Sequence, residues 1–373
     1  MESTFEAYIK EYIRKKYGKD SNELFSLSLI FQYLVHKTKS ANRGAKARGS
    51  FANLYAIYVI VEDYLANGFA TNDNYTEYEG AQFSALFKRQ RELPFGSRLQ
   101  NHALNSRMNE EFFKFFPAQT GMPPIMRNLE TQRYWFNENY LKIQVGERIY
   151  NIAEDIINII DHYVEVKQVT FKQFVDQCEK LQNIDADDAA EMTSFILSLL
   201  APNVDARLFE IVSYSILKFY YKDIEIYWGY YPEVEKLTKD YLHLYKTGRT
   251  NANDGGIDFV MKPLGRFFQV TETLDFKKYF LDIEKIERYP LSFVIKSEES
   301  VEDLMSKLKN DALKTYVIQK VVDDYMSCIE EIINIPALKC YLEELDEKNM
   351  VPEVLKEIIL QSKVEFNYED EDN

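Results

Sequence analysis

Residues 247–272 read TGRTNANDGGIDFVMKPLGRFFQVTE, and the punctuation of this stretch decides the fold. Residues 256–261 (GIDFVM) and 266–273 (RFFQVTET) are short runs rich in β-branched and aromatic residues. The Lys-Pro-Leu-Gly between them is a turn, so the stretch predicts a β-hairpin. That hairpin puts Asp258 on one arm and Gln269 on the other, after ten intervening residues. Side chains opposite one another on antiparallel strands converge on one face. A carboxylate, an amide oxygen and a main-chain carbonyl meeting there form an oxygen set suited to Mg²⁺. A metal held by such a set activates water and neutralises charge developing on a phosphodiester. The competing reading of Asp258 is a turn-flanking aspartate bonded to local backbone N–H groups; that of Gln269 is a buried amide with satisfied hydrogen bonds.

On either side of the hairpin the pattern is that of a mixed α/β protein. Residues 206–221 (ARLFEIVSYSILKFYY) predict a strongly apolar helix, 224–228 a short strand, 233–245 a helix, 276–289 a helix and 291–295 (LSFVI) a strand, with helices from residue 301 onward. Strands alternating with helices imply a mixed central sheet flanked by helices. The first 200 residues read as mainly helical, with periodic segments at 5–17, 21–35, 50–64, 82–90, 149–164, 171–181 and 189–200. Residues 116–127 (FPAQTGMPPIMR), with three prolines and a glycine, read as a loop. The expected organisation is a helical recognition region over 1–200, an α/β core over 201–300 and an acidic helical region over 301–373 with a frayed tail.

Composition bounds the function. The chain has 373 residues, 45 Lys+Arg against 60 Asp+Glu, four histidines and three cysteines without a C-x-x-C. These numbers argue against a disulfide framework, a structural zinc site and a His-based metal centre. The longest uninterrupted apolar run, residues 54–61, falls far short of the ~20 residues that cross a bilayer. The amino-terminal residues lack the apolar segment of a secretory signal, so a reducing cytoplasm is the expected location. The charge is uneven: residues 274–373 hold 24 acidic against 13 basic residues, whereas 36–109 hold ten basic against six acidic. The amino-terminal part is locally positive, and distribution sets the local field.

At the hairpin the sequence resembles the PD-(D/E)xK nuclease superfamily, in particular its type II restriction endonuclease and Mrr-like branches. The resemblance rests on Asp254-Gly255-Gly256-Ile257-Asp258 followed by Gln269-Val270-Thr271, and on a preceding helix with Leu208-Phe209-Glu210-Ile211-Val212. It covers residues 205–297, about a quarter of the chain. It implies a Mg²⁺-dependent endodeoxyribonuclease, with Mn²⁺ as a substitute, acting on double-stranded DNA in a prokaryote or its virus. It further implies a homodimer and a cognate methyltransferase in the same system. Asp258, Gln269 and Glu210 would hold the metal. A modification-dependent defence nuclease and a non-catalytic DNA-binding protein are the alternatives. The sequence departs from the pattern at Thr271, where the family has lysine. Compensating candidates are Glu272, Lys262, Lys218, Lys277 and Lys278; strict alternation puts Glu272 on the sheet face opposite Gln269 unless a bulge intervenes.

Two basic segments suit DNA. Lys37, Lys39, Arg43, Lys46 and Arg48 lie in a stretch without acids, and such a cluster favours phosphates through counterion release, though a solvated loop has the same composition. Residues 88–109 combine Lys88, Arg89, Arg91, Arg98 and Arg107 with Gln90, Gln100, Asn101, Asn105 and Asn109, side chains that can read base edges. Ordinary helix-surface polarity explains them equally well.

Overall fold

The computed structural model describes residues 4–41, 47–72, 74–97, 99–182, 189–202, 204, 206–231, 233–247, 257–316 and 318–366. The chain folds as two compact units, Met1–Phe174 and Val175–Asn373.

The first unit holds helices α1 (Thr4–Tyr17), α2 (Ser21–Leu27), α3 (Leu29–Ala41) and α4 (Ala47–Ala66), strand β1 (Ala81–Gln82), α5 (Phe83–Glu92) and α6 (Met108–Phe115). Strands β2 (Ile125–Asn128), β3 (Arg133–Phe136), β4 (Lys142–Val145) and β5 (Arg148–Asn151) follow, then the start of the long helix α7 (Ala153–Gln182). The apolar run at 54–61 explains the packing: Leu54 through Val61 are all buried, so α4 has no wet face along this run and the unit packs around it. Asp155, fully buried near the start of α7, anchors α1 by accepting from Tyr12 Oη at 2.9 Å, from Lys16 Nζ at 2.6 Å and from the Tyr17 hydroxyl. The sequence reads this region as mainly helical, but five short strands interrupt it, as a sheet in the order β1-β3-β2 and a β4–β5 hairpin. Residues 149–151, expected at the head of a helix, belong to β5, and α7 then continues unbroken through 171–181.

The second unit begins within α7 and continues with α8 (Ala189–Ser198), α9 (Ala206–Tyr221), β6 (Glu225–Trp228), β7 (Thr238–Tyr241), β8 (His243–Lys246), β9 (Phe259–Lys262) and β10 (Arg266–Thr271). After these come α10 (Phe276–Lys285), β11 (Leu291–Ile295), α11 (Val301–Thr315), α12 (Gln319–Met326), β12 (Ile329–Ile333), α13 (Ile335–Glu347) and α14 (Val351–Phe366). Five strands form one mixed sheet in the order β12-β11-β10-β9-β8. The β8–β9 and β9–β10 pairs are antiparallel, whereas β10, β11 and β12 are parallel to one another and joined through helices, as parallel neighbours require. All five residues of β11 are buried, the signature of a strand covered on both faces. On one face Tyr214 and Tyr221 of α9 pack on Phe259 and Phe268, with ring centroids 5.3 and 6.3 Å apart. On the other, Phe267, Phe293 and Ile295 join Tyr279, Leu304 and Val322 from α10, α11 and α12.

The structure is mixed α/β with a mixed sheet and flanking helices. The expected hairpin is β9–β10, its turn closed by Gly265 at φ +68°, a conformation glycine adopts without strain. Two elements differ from expectation. Residues 233–245, read as a helix, contain β7 and lead into β8; Leu242 and Leu244 are buried while Tyr241, His243 and Tyr245 are exposed, a period of two. Residues 329–333, read as helical, form β12, and the residue-301-to-373 region thereby completes the sheet of the hairpin. No described helix is long and apolar enough to cross a membrane.

Candidate active site at the end of the mixed sheet

The β9–β10 ladder pairs Phe268 with Phe259 and then changes character. Asp258 N–H still donates to Phe268 O at 2.8 Å, but Val270 N–H is taken by the Asp258 carboxylate, with Oδ2 at 2.7 Å. A side chain has replaced a main-chain acceptor, which fixes the carboxylate between the strands by a charge-assisted bond. Gln269 is next to it and 8% exposed. Its Nε2 donates to Val270 O at 3.2 Å, whereas its Oε1 is buried and makes no hydrogen bond among the described residues. An unpaired buried amide oxygen costs about 1–3 kcal/mol, so it calls for a partner or a purpose.

Because Phe268 faces α9, alternation puts Gln269 and Thr271 on the α10 face. Thr271 is 3% exposed, and its Oγ1 accepts from Lys278 Nζ at 3.2 Å. Lys278 is delivered by the start of α10, where Asp275 caps the helix by accepting from Lys277 N–H at 3.0 Å. An ammonium therefore stands at the Thr271 hydroxyl, supplied from seven residues further along the chain.

The remaining candidates are elsewhere. Glu210 accepts from Lys246 Nζ at 2.9 Å; Lys246 is opposite Phe259 in the β8–β9 register, which puts this ion pair on the α9 face, across the sheet from Gln269 and Thr271. The metal set read from the sequence is therefore divided: Asp258 and Gln269 are neighbours, and Glu210 is engaged with a lysine. Glu272, just past β10, accepts from Lys296 Nζ at 2.7 Å, and this lysine also bonds Val204 O and lies 5.8 Å from the Phe209 ring centroid. The alternation needs no bulge, so Glu272 is on the face opposite Gln269. Lys262 ends β9 and is exposed, its Nζ 5.3 Å from the Tyr245 ring centroid; the four residues back to Asp258 span roughly 13 Å of strand. Lys218 pairs with Glu357 of α14 at 2.8 Å, and Lys277 is exposed beside Phe276. Of the lysines considered, Lys278 is the one bonded to Thr271. Lys296 follows the expected strand 291–295, which is its one sequence signal, whereas Lys246 follows a stretch read as a helix and carries none.

Among the described residues no group of three or more His, Cys, Asp or Glu side chains could hold a metal ion. Asp254 lies outside them. One carboxylate and one neutral amide oxygen do not make a closed cage, but they fit Mg²⁺, which keeps several waters and is bound through one or two carboxylates plus substrate phosphate oxygens.

The basic segments resolve unevenly. Lys37 is 5% exposed, and its Nζ is bonded to Glu111 Oε1 at 2.6 Å, beside Asn53. It is an interior ion pair and not a phosphate contact on the surface. Arg43, Lys46 and Arg98 lie outside the described residues, as do the side chains of Lys39 and Arg48. Arg89 makes a two-bond clamp on Glu62 at 2.7 and 2.8 Å, and Arg91 donates to Ser97 O at 2.8 Å. Asn105 Oδ1 accepts from Tyr134 Oη at 3.1 Å. Lys88 and Arg107 are exposed, and Gln100 and Asn101 are half-buried.

No protein-family model, curated protein or solved structure matches this chain.

Proposed function

We propose that the second unit is a PD-(D/E)xK-like nuclease core and that the protein is a Mg²⁺-dependent, type II restriction-like endodeoxyribonuclease acting on double-stranded DNA in the cytoplasm. The observation that carries this reading is the Lys278 ammonium 3.2 Å from Thr271 Oγ1, the residue two positions along β10 from Gln269 at which the resembled family has its lysine. The strand order and the helix before it also suit such a core. Asp258 and the otherwise unpaired Gln269 Oε1 would hold Mg²⁺ or Mn²⁺, which when bound lowers the pKa of water and offsets charge on the phosphoryl oxygens. Lys278 orients the attacking water by charge, a role the Thr271 hydroxyl alone cannot fill. Asp258 and Lys278 keep their places through the backbone bond to Val270 and the Asp275 cap. Glu210 and Glu272 are assigned to structure. A homodimer would supply the two cuts that a duplex needs, and a cognate methyltransferase would protect the host's own sites.

One observation favours the non-catalytic alternative: both Glu210 and Glu272 are paired with lysines, which among the described residues leaves Asp258 as the single carboxylate at Gln269. Digestion of mapped plasmid and phage DNA, modified and unmodified, with Mg²⁺, Mn²⁺ or EDTA separates the readings. Discrete fragments that require metal and vanish in Asp258→Asn support the nuclease. Absence of cleavage by the wild type under every metal and modification overturns it in favour of the non-catalytic reading.

A further inference from the structure

The α10 face of β10 carries more polar groups than the proposed site uses. Tyr279, the residue after Lys278, is 1% exposed, and its Oη makes no hydrogen bond among the described residues. Its ring packs on Phe293 with centroids 4.4 Å apart, and Phe293 is the register partner of Gln269 on β11. Asp282, one turn along α10, is 3% exposed. Its Oδ1 accepts from Lys285 Nζ at 2.8 Å, whereas its Oδ2 is buried and makes no hydrogen bond among the described residues. Burial pushes the Tyr279 hydroxyl pKa up, the Asp282 charge adds to this and Thr271 acts against it, so both side chains bear on that hydroxyl. The surroundings are Phe276, Phe280, Ile283 and Leu304, an apolar setting in which an unmade hydrogen bond is costly. A phenylalanine at 279 would fill the same space without an unpaired hydroxyl, so stability alone does not account for a tyrosine there.

We infer that Tyr279 and Asp282 are positioning residues for Lys278, forming with Thr271 a chain of polar groups that runs from the ammonium to a carboxylate buried behind it. The role in cleavage rests on the nuclease reading; the chain of groups does not. Its first link is made, with Lys278 Nζ donating to Thr271 Oγ1 at 3.2 Å. At the far end the Tyr279 O–H is the donor that Asp282 Oδ2 lacks, and a bond to a carboxylate is stronger than one to a neutral oxygen. The middle link joins Thr271 to Tyr279. The Thr271 hydroxyl now donates to Thr273 O at 3.3 Å, a long bond, and its hydrogen is free to rotate toward the Tyr279 oxygen. A small shift of the Tyr279 and Asp282 side chains then closes the chain, each bond polarising the next. The buried negative charge thereby holds the Thr271 lone pairs toward Lys278 and fixes the direction in which the ammonium points.

The test has two arms, run on the full chain. In single-turnover cleavage with Mg²⁺, Tyr279→Phe should lose ~10-fold in rate, the lower end for removing a partner behind a site. Duplex binding should be unchanged, and the urea midpoint should equal or exceed that of the wild type, because the deleted hydroxyl has no partner to lose. Asp282→Asn, which keeps the shape and removes the charge, should lose rate similarly. In the Lys278→Ala background, Tyr279→Phe should cost less than ~2-fold further, since the two act through one group. The second arm needs no DNA: in protein carrying ¹³C at tyrosine Cζ, the resonance missing from Tyr279→Phe belongs to Tyr279, and it should move in both Thr271→Val and Asp282→Asn. A resonance unmoved in either variant overturns the chain, whatever the protein does to DNA. Tyr279→Phe that cuts at the wild-type rate, that loses rate only in step with a lowered midpoint, or that repeats its full loss without Lys278 overturns the positioning role. A resonance that moves in a wild type that cuts nothing under any metal sinks the nuclease reading and leaves the chain standing.

Discussion

Replacing Lys278 by alanine removes the ammonium that stands where Thr271 leaves the resembled motif without a charge. Removing a positioned acid–base or orienting group costs about 10²–10⁴ in rate, and the lower end, ~100-fold, corresponds to about 2.7 kcal/mol at 1.36 kcal/mol per tenfold. The structural cost is smaller. Lys278 is half-exposed and makes a single hydrogen bond to Thr271, and Thr271 Oγ1 keeps Thr273 N–H as a donor at 3.4 Å. A net loss of about 1 kcal/mol of folding stability is the scale for one such bond. Single-turnover cleavage of plasmid under Mg²⁺, beside a urea melt, therefore reads a large kinetic effect against a small stability effect. Thr271→Lys in the Lys278→Ala background returns an ammonium to the motif position, into the space vacated by Lys278, and should restore part of the rate. If Lys278→Ala cuts at the wild-type rate while Asp258→Asn is inert, the displaced-lysine argument is wrong.

Lys296→Met should act in the opposite way: its side chain is 4% exposed and its loss strands Glu272, so the melt should fall by about 3 kcal/mol, the lower part of the range for breaking a buried pair, and a melt unchanged from wild type would contradict the pairing. Lys37→Met should cost about 2 kcal/mol, discounted because Glu111 is 27% exposed, and leave the salt dependence of DNA binding alone; a flatter salt slope would return Lys37 to the phosphate contacts. Burial raises the hydroxyl pKa values of Tyr33, Tyr55, Tyr75 and Tyr279. Their folded values lie above the unfolded value near 10, so their contribution to stability is complete below about pH 10 and is lost as pH rises above it. Tyrosinate absorbance and far-ultraviolet circular dichroism should move together in that range, and full titration near pH 10 with the dichroism intact would refute the burial.

How much of this was legible in the sequence depended on whether local chemistry or tertiary pairing set each element. The β9–β10 hairpin was legible because Pro263 and Gly265 mark its turn, and β11 because LSFVI is the composition of a strand buried on both faces. β12 was not: Glu330 and Glu331 sit in the strand at the edge of the sheet, and both contact the guanidinium of Arg266 from β10. A long-range partner makes an acidic segment tolerable as a strand, and no local propensity announces it. β7 and β8 were missed for a related reason. Their lysines and aspartate suit a helix surface, and only the burial of Leu242 and Leu244 about exposed His243 selects a period of two.

The site follows the same division. Asp258 and Gln269 could be brought together from sequence because a short turn leaves little freedom in register, and a one-residue slip would have reversed the faces of the strand. The partner of Thr271 could only be narrowed to a group, because the cap at Asp275 decides where α10 begins and hence which lysine of Lys277-Lys278 turns inward. The pairing of Glu210 with Lys246 was not legible because Lys246 lies on the strand that was read as a helix. The basic stretch failed for a different reason. A run of cations in sequence is a solvated patch only if the backbone keeps every member on one surface, and α3 turns Lys37 inward to Glu111, where the low dielectric makes a partner obligatory.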